Sequence, residues 1–334
     1  MLMKILRILL FPIVPIYFFV TWLRNRLYDS GVKFSKSYGF PVICVGNLST
    51  GGTGKSPMVE YLIRLLQTDK KVATLSRGYK RVTKGFLLAD ESVNVDMVGD
   101  EPYQFYKKFD NIYIAVDEDR QHGITELRNF KPQPEVILLD DAYQHRKVKA
   151  GFNILLTSFG KLYTNDMVLP TGDLREPMSG AKRADVIVIT KSPSDLDEER
   201  KVSIVRQINP KGHQSVFFSS IKYSDTIHAT NTKMPLEDLN LFSLVTGIAN
   251  ANPLVNYLNS KNLDFEHLEY GDHYNFTIKD IELLEQKEII LTTEKDYMRL
   301  FEVESLRDKL FYIPIEITLD KPKEFNRLIQ NFVN

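Results

Sequence analysis

Lys55 and Ser56 close a glycine-bearing run, GNLSTGGTGKSP, that leaves the apolar stretch PVICV and enters the helical pattern KSPMVEYLIRLLQ. Strand, loop and helix in that order make a phosphate cradle. Glycines let backbone N–H groups turn inward, and the helix N-terminus adds partial positive charge. Lys55 would reach the β- and γ-phosphates of a nucleotide, and the Ser56 hydroxyl would ligate magnesium. Pro57 falls in the first helical turn, where its missing N–H costs nothing. The strict spacing G-x-x-x-x-G-K-[ST] asks for glycine where this chain has Ser49. The loop tolerates the change if Gly46, Gly51 and Gly52 supply the permissive torsions. A glycine-rich surface turn is the alternative.

A phosphate cradle used for catalysis needs a carboxylate at the end of a neighbouring strand to hold magnesium. EVILLDDAYQHR places Asp140 and Asp141 directly after four apolar residues. Gln144 and His145 follow and can orient that pair or a phosphate. In VGDEPYQFYKK, Asp100 suits a helix N-cap and Glu101 the first turn; the same two residues suit a base and metal support in transfer to a hydroxyl. Arg175 in LPTGDLREP can stabilise a transferring phosphoryl group. Arg77, Lys80 and Arg81 in LSRGYKR can engage an anionic substrate group. YGDHYNF and TTEKDYMRL are weaker signals, plain polar loops when read alone.

These groups have to be positioned by a folded scaffold. The chain has 334 residues, 43% hydrophobic and 26% charged, which is a globular composition. Lys+Arg and Asp+Glu both total 43, so no global field argues for nucleic acid. The single Cys44 excludes an internal disulfide. Apolar runs at 41–45, 71–76, 111–116, 135–140, 152–158, 185–190, 215–220, 241–247, 287–293 and 309–315 alternate with helical patterns. The helical patterns are Met58–Thr68, Glu101–Lys108, Gln121–Asn129, Leu196–Ile208 and Ile278–Glu285. This predicts an α/β fold: a doubly wound, mostly parallel sheet of P-loop type with a second, smaller α/β lobe. The expected division is an N-terminal helical segment at 1–30, a core at 31–220 and the smaller lobe at 221–334.

Ile8 to Leu23 carries no charge and is flanked by Lys4, Arg7, Arg24 and Arg26. As a helix it rises about 24 Å, short of a bilayer's hydrocarbon core, and contains two prolines. Trp22, Tyr17 and the flanking basic residues suit a helix at the membrane interface, with a buried core helix as the alternative.

Taken in order, VGNLSTGGTGKSP, LSRGYKR, GDEP, DDAYQH, LPTGDLREP, RADVIVITK, DHYNF and TTEKD resemble the tetraacyldisaccharide 4'-kinase family, the lipid A 4'-kinases of Gram-negative bacteria. The resemblance implies ATP- and Mg2+-dependent phosphorylation of the 4'-hydroxyl of a tetraacylated glucosamine disaccharide 1-phosphate, giving lipid IVA. It implies work at the cytoplasmic face of the inner membrane, with the acylated lipid as partner and no nucleic acid or obligate protein partner. Carried over by motif, Ser49, Thr50, Gly51, Gly52, Thr53, Gly54, Lys55 and Ser56 would contact ATP. Ser56, Glu101 and Asp140 would serve the metal. Asp100 would be the base, supported by His273, with Lys55, Asp141 and Arg175 as further catalytic groups. Arg77, Arg81, Gln144, His145 and Glu176 would contact substrate. The family commonly has Thr at the Ser56 position and DDGFQH where this chain reads DDAYQH. The competing classes are a membrane-attached P-loop switch protein and a scaffold whose nucleotide site is structural.

Overall fold

The computed structural model describes residues 7, 9–230, 232–272 and 274–334. Lys4 and Ile8 of the amino-terminal segment therefore lie outside the described residues. After a short 3-10 turn at Phe11–Ile13, the first helix, α1, is Val14–Asp29, with a proline in its opening turn where no N–H is needed. No helix among the described residues is long and apolar enough to cross a membrane.

Strand β1 (Val42–Asn47) is buried at every position and leads through the glycine-bearing loop into α2 (Lys55–Leu66). Next come β2 (Val72–Ser76), the short β3 (Leu87–Leu88), α3 (Val95–Val98), α4 (Asp100–Lys108), β4 (Tyr113–Val116) and α5 (Arg120–Leu127). β5 (Val136–Asp140), β6 (Phe152–Ser158), β7 (Val186–Thr190), α6 (Glu198–Ile208) and β8 (Ser215–Tyr223) follow. A second group comprises β9 (Thr226–His228), β10 (Lys233–Pro235), β11 (Phe242–Thr246), α7 (Asn252–Ser260) and β12 (Phe265–Glu269). It continues with α8 (Ile278–Glu285), β13 (Ile290–Thr293), α9 (Glu294–Leu300) and β14 (Leu310–Ile313). The described chain closes with β15 (Ile315–Leu319) and α10 (Pro322–Val333).

The nine-stranded sheet has the order β15-β8-β7-β6-β1-β5-β2-β4-β3 and is parallel except at its two edges. Side chains alternate across β1. Val42 and Cys44 join one core with α5 and α6, while Ile43 and Val45 join the other with α2 and α10. Burial on both faces explains why these strands read as continuous apolar runs. The six-stranded sheet, β10-β9-β14-β13-β11-β12, is parallel through β14-β13-β11-β12 and antiparallel at β9 and β10.

Residues 315–334, expected within the smaller lobe, belong to the larger sheet instead. β15 pairs antiparallel with β8, and Phe325, Ile329 and Val333 of α10 enter the same core as Ile43 and Val45. The physical reason is burial: the apolar side of the amphipathic α10 joins the core beside α2, with Tyr61 donating to Asn326 at 2.8 Å.

Candidate active site

β1 lies between β5 and β6, and the chain winds outward from it in both directions. The carboxyl end of β1 is thus a topological switch point, where open α/β sheets bind ligands. The glycine-bearing loop leaves from that end. Gly51 (φ 98°) and Gly54 (φ 81°) take the left-handed torsions, which suit glycine. Gly46 does a different job from the one expected: a Cβ there would come 2.7 Å from the Tyr143 Cβ, so it lets the DDAYQH turn close on β1. Ser49 is not a positive-φ residue; it bridges antiparallel to Leu174, beside the bonds Thr50 N–H to Asp173 O (2.7 Å) and Arg175 N–H to Leu48 O (2.7 Å). The LPTGDLREP segment is therefore laced to the first half of the loop, and glycine is not required at position 49.

Lys55 opens α2 and points at the carboxylate of Asp141, 3.7 Å away. Arg175 forks onto that carboxylate at 2.9 and 3.2 Å and also donates to Asn47 Oδ1. Burial pushes Asp141 up, but Lys55 and Arg175 prevail and hold it below the usual carboxylate range. Asp141 adopts φ 48°, a strained torsion for a non-glycine residue, kept by this network. Asp140 is buried, with Oδ1 unpartnered among the described residues. Burial raises it to about 7, against the opposing pull of Lys55. An orphaned, desolvated carboxylate oxygen beside a cradle lysine fits a cation site, at which Asp140 could hold magnesium. Glu101 lies close enough to raise Asp140 further but is itself paired with Lys295 at 3.6 Å. No group of three or more His, Cys, Asp or Glu among the described residues could hold a metal. Magnesium in such sites keeps waters and phosphate oxygens as its remaining ligands.

Asp100 is not a helix cap. Gly99, at φ 92°, is the N-cap of α4 and offers no side-chain bond, while the Asp100 carboxylate takes a guanidinium fork from Arg299 of α9. A Cβ on Gly99 would sit 3.0 Å from Tyr79 O, so glycine is required for that approach. The proposed support residue His273 lies outside the described residues.

The expected substrate contacts divide. Arg77 is exposed at the end of β2. Arg81 is turned away: its side chain is 4% exposed and bound to Gly85 O and Glu118, a structural pairing that leaves no donor fork for substrate. Glu176 is likewise sealed in, accepting from Asn25 (2.5 Å), Gln144 (3.0 Å) and Arg183 (2.8 Å). It holds the site together and presents no open oxygen. Gln144 also donates to Asn47 O at 2.8 Å. Burial lowers His145 to about 4, so it is a neutral imidazole at physiological pH.

Several residues outside the sequence-based set belong to the site. Arg120, 3% exposed, donates to Asp117 O at 2.8 Å and faces Asp140 O at 3.4 Å. Burial pulls it below the usual arginine range, while Asp140 and Asp141 favour its charge. Its signal, an arginine opening a helix just after the strand YIAV, was there to be read. Asn47 donates to Thr53 Oγ1 at 2.6 Å, and Lys191 of RADVIVITK donates to Gly52 O at 2.7 Å. α1 docks on the same centre: Tyr17 donates to Arg175 O (3.0 Å), Arg24 to Gln144 O (2.7 Å) and Asn25 to Glu176.

A glycine-bearing strand–loop–helix unit at a switch point, beside a strand-end carboxylate pair of which Lys55 and Arg175 clamp Asp141, defines an α/β protein whose site is suited to phosphoryl transfer. Residues 6–334 match the family described as LpxK, tetraacyldisaccharide-1-P 4'-kinase. The chain is 48% identical to the tetraacyldisaccharide 4'-kinase of Flavobacterium johnsoniae, over 95% of this chain and 94% of that protein. It is 47% identical to that of Flavobacterium psychrophilum over 99% and 98%. The solved structure of LpxK from Aquifex aeolicus in complex with ATP superposes with a TM-score of 0.79 at 31% identity, covering 98% of this chain and 100% of that one. The chain belongs to the tetraacyldisaccharide 4'-kinase family.

Proposed function

We infer that this protein transfers the γ-phosphate of ATP to the 4'-hydroxyl of a tetraacyl-glucosamine disaccharide 1-phosphate, producing lipid IVA in lipid A synthesis. The single observation that carries the reading is the convergence on one centre of Lys55 and Arg175 about Asp141, the orphaned Asp140, and an apolar-faced helix. Magnesium held at Asp140 and Ser56 would neutralise charge on the phosphates. Lys55 and Arg175 neutralise charge from fixed positions on α2 and the LPTGDLREP segment, and Asp141 orients both. Asp100 receives the proton of the attacking hydroxyl, and Glu101 supports the acidic cluster. Arg77 is the exposed cation suited to the acceptor's anionic groups.

α1 supports a membrane-surface setting at the cytoplasmic face of the bacterial inner membrane. One side of it bonds the site, while Ile16, Phe18, Phe19, Val20 and Trp22 are exposed on the described surface. An apolar face beside the reacting centre suits an acceptor whose acyl chains remain in the bilayer.

The test is transfer of labelled γ-phosphate from ATP to the acylated disaccharide in detergent micelles, for the wild type and Asp100→Asn. Labelled lipid should form, and the variant should lose turnover by about 10²-fold or more while retaining ATP affinity. Free phosphate as the sole product, with or without lipid, would instead indicate a nucleotide-hydrolysing switch.

A further inference from the structure

The helix that begins at Asp100 is gripped at both ends by one helix of the smaller sheet. At the far end of α4, Lys108 Nζ meets Glu294, the first residue of α9, at 2.5 Å and Glu60 of α2 at 2.7 Å. Gln104, between them, donates to Glu60 at 2.8 Å. At the near end Arg299, one residue before the close of α9, sets its guanidinium on Asp100 as a fork, Nε to Oδ1 at 3.0 Å and Nη2 to Oδ2. The remaining Nη1 donates to Tyr274 O at 3.1 Å. The two helices therefore run in opposite senses along their contact. α9 is itself fixed to the smaller sheet, because the Asp296 carboxylate accepts from Gly247 N–H (2.8 Å) and Thr293 Oγ1 (2.7 Å).

We propose that Arg299 is a positioning residue for phosphoryl transfer, which fixes the plane of the Asp100 carboxylate, so that the smaller sheet completes the reacting centre. The inference rests on Asp100 being the base. A carboxylate offers about four lone-pair directions, and a guanidinium fork occupies a matched pair of them. The fork therefore sets the plane of the carboxylate relative to α9. Lysine would supply the charge without the plane. The pair is a poor candidate for mere stabilisation, since Arg299 and Asp100 side chains are 12% and 11% exposed and desolvation offsets most of the gain from a buried ion pair. On the contacting helices Glu101 and Lys295 pair with each other at 3.6 Å, and Asp296 lies close enough to feel the charge of Arg299.

The experiment compares Arg299→Gln, Arg299→Lys, Asp100→Asn and the Asp100→Asn/Arg299→Gln double variant in the lipid transfer assay, with ATP affinity measured by nucleotide titration. Arg299→Gln should lower kcat about 10²-fold, as loss of orientation does, with ATP affinity unchanged. Arg299→Lys should restore only part of kcat. The double variant should be no slower than Asp100→Asn alone. Wild-type kcat in Arg299→Gln, a fall in kcat that comes only with lost ATP affinity, or additive losses in the double variant would each overturn the proposal. If Arg299→Gln fails to fold, Arg299→Lys decides: reduced kcat with ATP affinity retained supports positioning, and undiminished kcat overturns it. Undiminished turnover in Asp100→Asn would remove the base assignment itself, whatever Arg299 does.

Discussion

Ser49 and Gly46 show how a single position can mislead when read for its letter. Ser49 occupies the place where the strict phosphate-loop spacing has glycine, yet its backbone is bridged to Leu174 and needs no left-handed torsion. Gly46 precedes that place, and its importance is the 2.7 Å approach of Tyr143 rather than its own flexibility. Ser49→Gly should therefore leave ATP affinity unchanged and lower stability by about 0.5–1 kcal/mol through the freedom gained by the unfolded chain. Gly46→Ala should cost about 1–3 kcal/mol by overpacking against the DDAYQH turn and should weaken ATP binding with it. Denaturant midpoints and nucleotide titration of the two variants check this; the reverse ranking would place the loop's requirement at 49. At the same scale, Asp100 changes meaning once Gly99 is seen to be the cap, because its carboxylate is then held for something other than the helix end.

Among the elements, α4 is the piece on which both sheets depend. Phe105 packs into the core of the larger sheet, while Tyr103 packs with Val245, Ile290 and Tyr297 of the smaller one. Between these contacts Lys108 serves two buried carboxylates, Glu60 and Glu294. Glu60 also pairs with Arg64 at 3.1 Å and accepts from Gln104 at 2.8 Å, and burial together with Glu60 raises Glu294 to about 7. A folded pKa above the unfolded value means that the folded chain holds this proton more tightly. The group's contribution to stability is then complete below the usual carboxylate pKa and is lost as pH rises through about 7. Glu294→Gln should raise the melting temperature at pH 8 relative to wild type and flatten its fall between pH 5 and pH 8. Thermal melts across that range give the answer, and a Glu294→Gln protein destabilised most at pH 8 would reverse the sign. α1 illustrates the same dependence on context: its polar contacts to Arg175, Gln144 and Glu176 hold it against the site and leave its apolar side outward.

The whole molecule is less divisible than its linear order suggests. The chain leaves the larger sheet after β8, builds the smaller sheet, and returns to add β15 and α10. Phe325 then packs against Phe217 and Tyr61, with ring centroids 5.3 and 5.8 Å apart. A fragment of residues 31–220 lacks this cover and exposes the edge of β8 as well as one side of the α2 core. It should melt without cooperativity, whereas a version with residues 315–334 joined after 223 should recover a cooperative transition by circular dichroism. A cooperative transition in the shorter fragment would show the last helix to be dispensable.

Local patterns alone determined the parallel sheet, the loop and the strand-end carboxylates, for a physical reason. Strands buried on both faces must be apolar throughout, and a phosphate cradle is built within one strand–loop–helix unit, so PVICV, GTGKS and VILLDD carry their meaning in adjacent residues. The short strands β3, β9 and β10 and the half-exposed β12 carried no such run and went unread. Contacts across long separations left no mark in the local sequence. The pairing of Asp100 with Arg299, the sealing of Arg81 by Glu118 and of Glu176 by Asn25 and Gln144, and the return of α10 to β1's core all join distant residues. A basic or acidic side chain looks the same in the sequence whether it will face substrate or a buried partner. Only the tertiary structure decides which, because the choice depends on what the fold brings within hydrogen-bond reach.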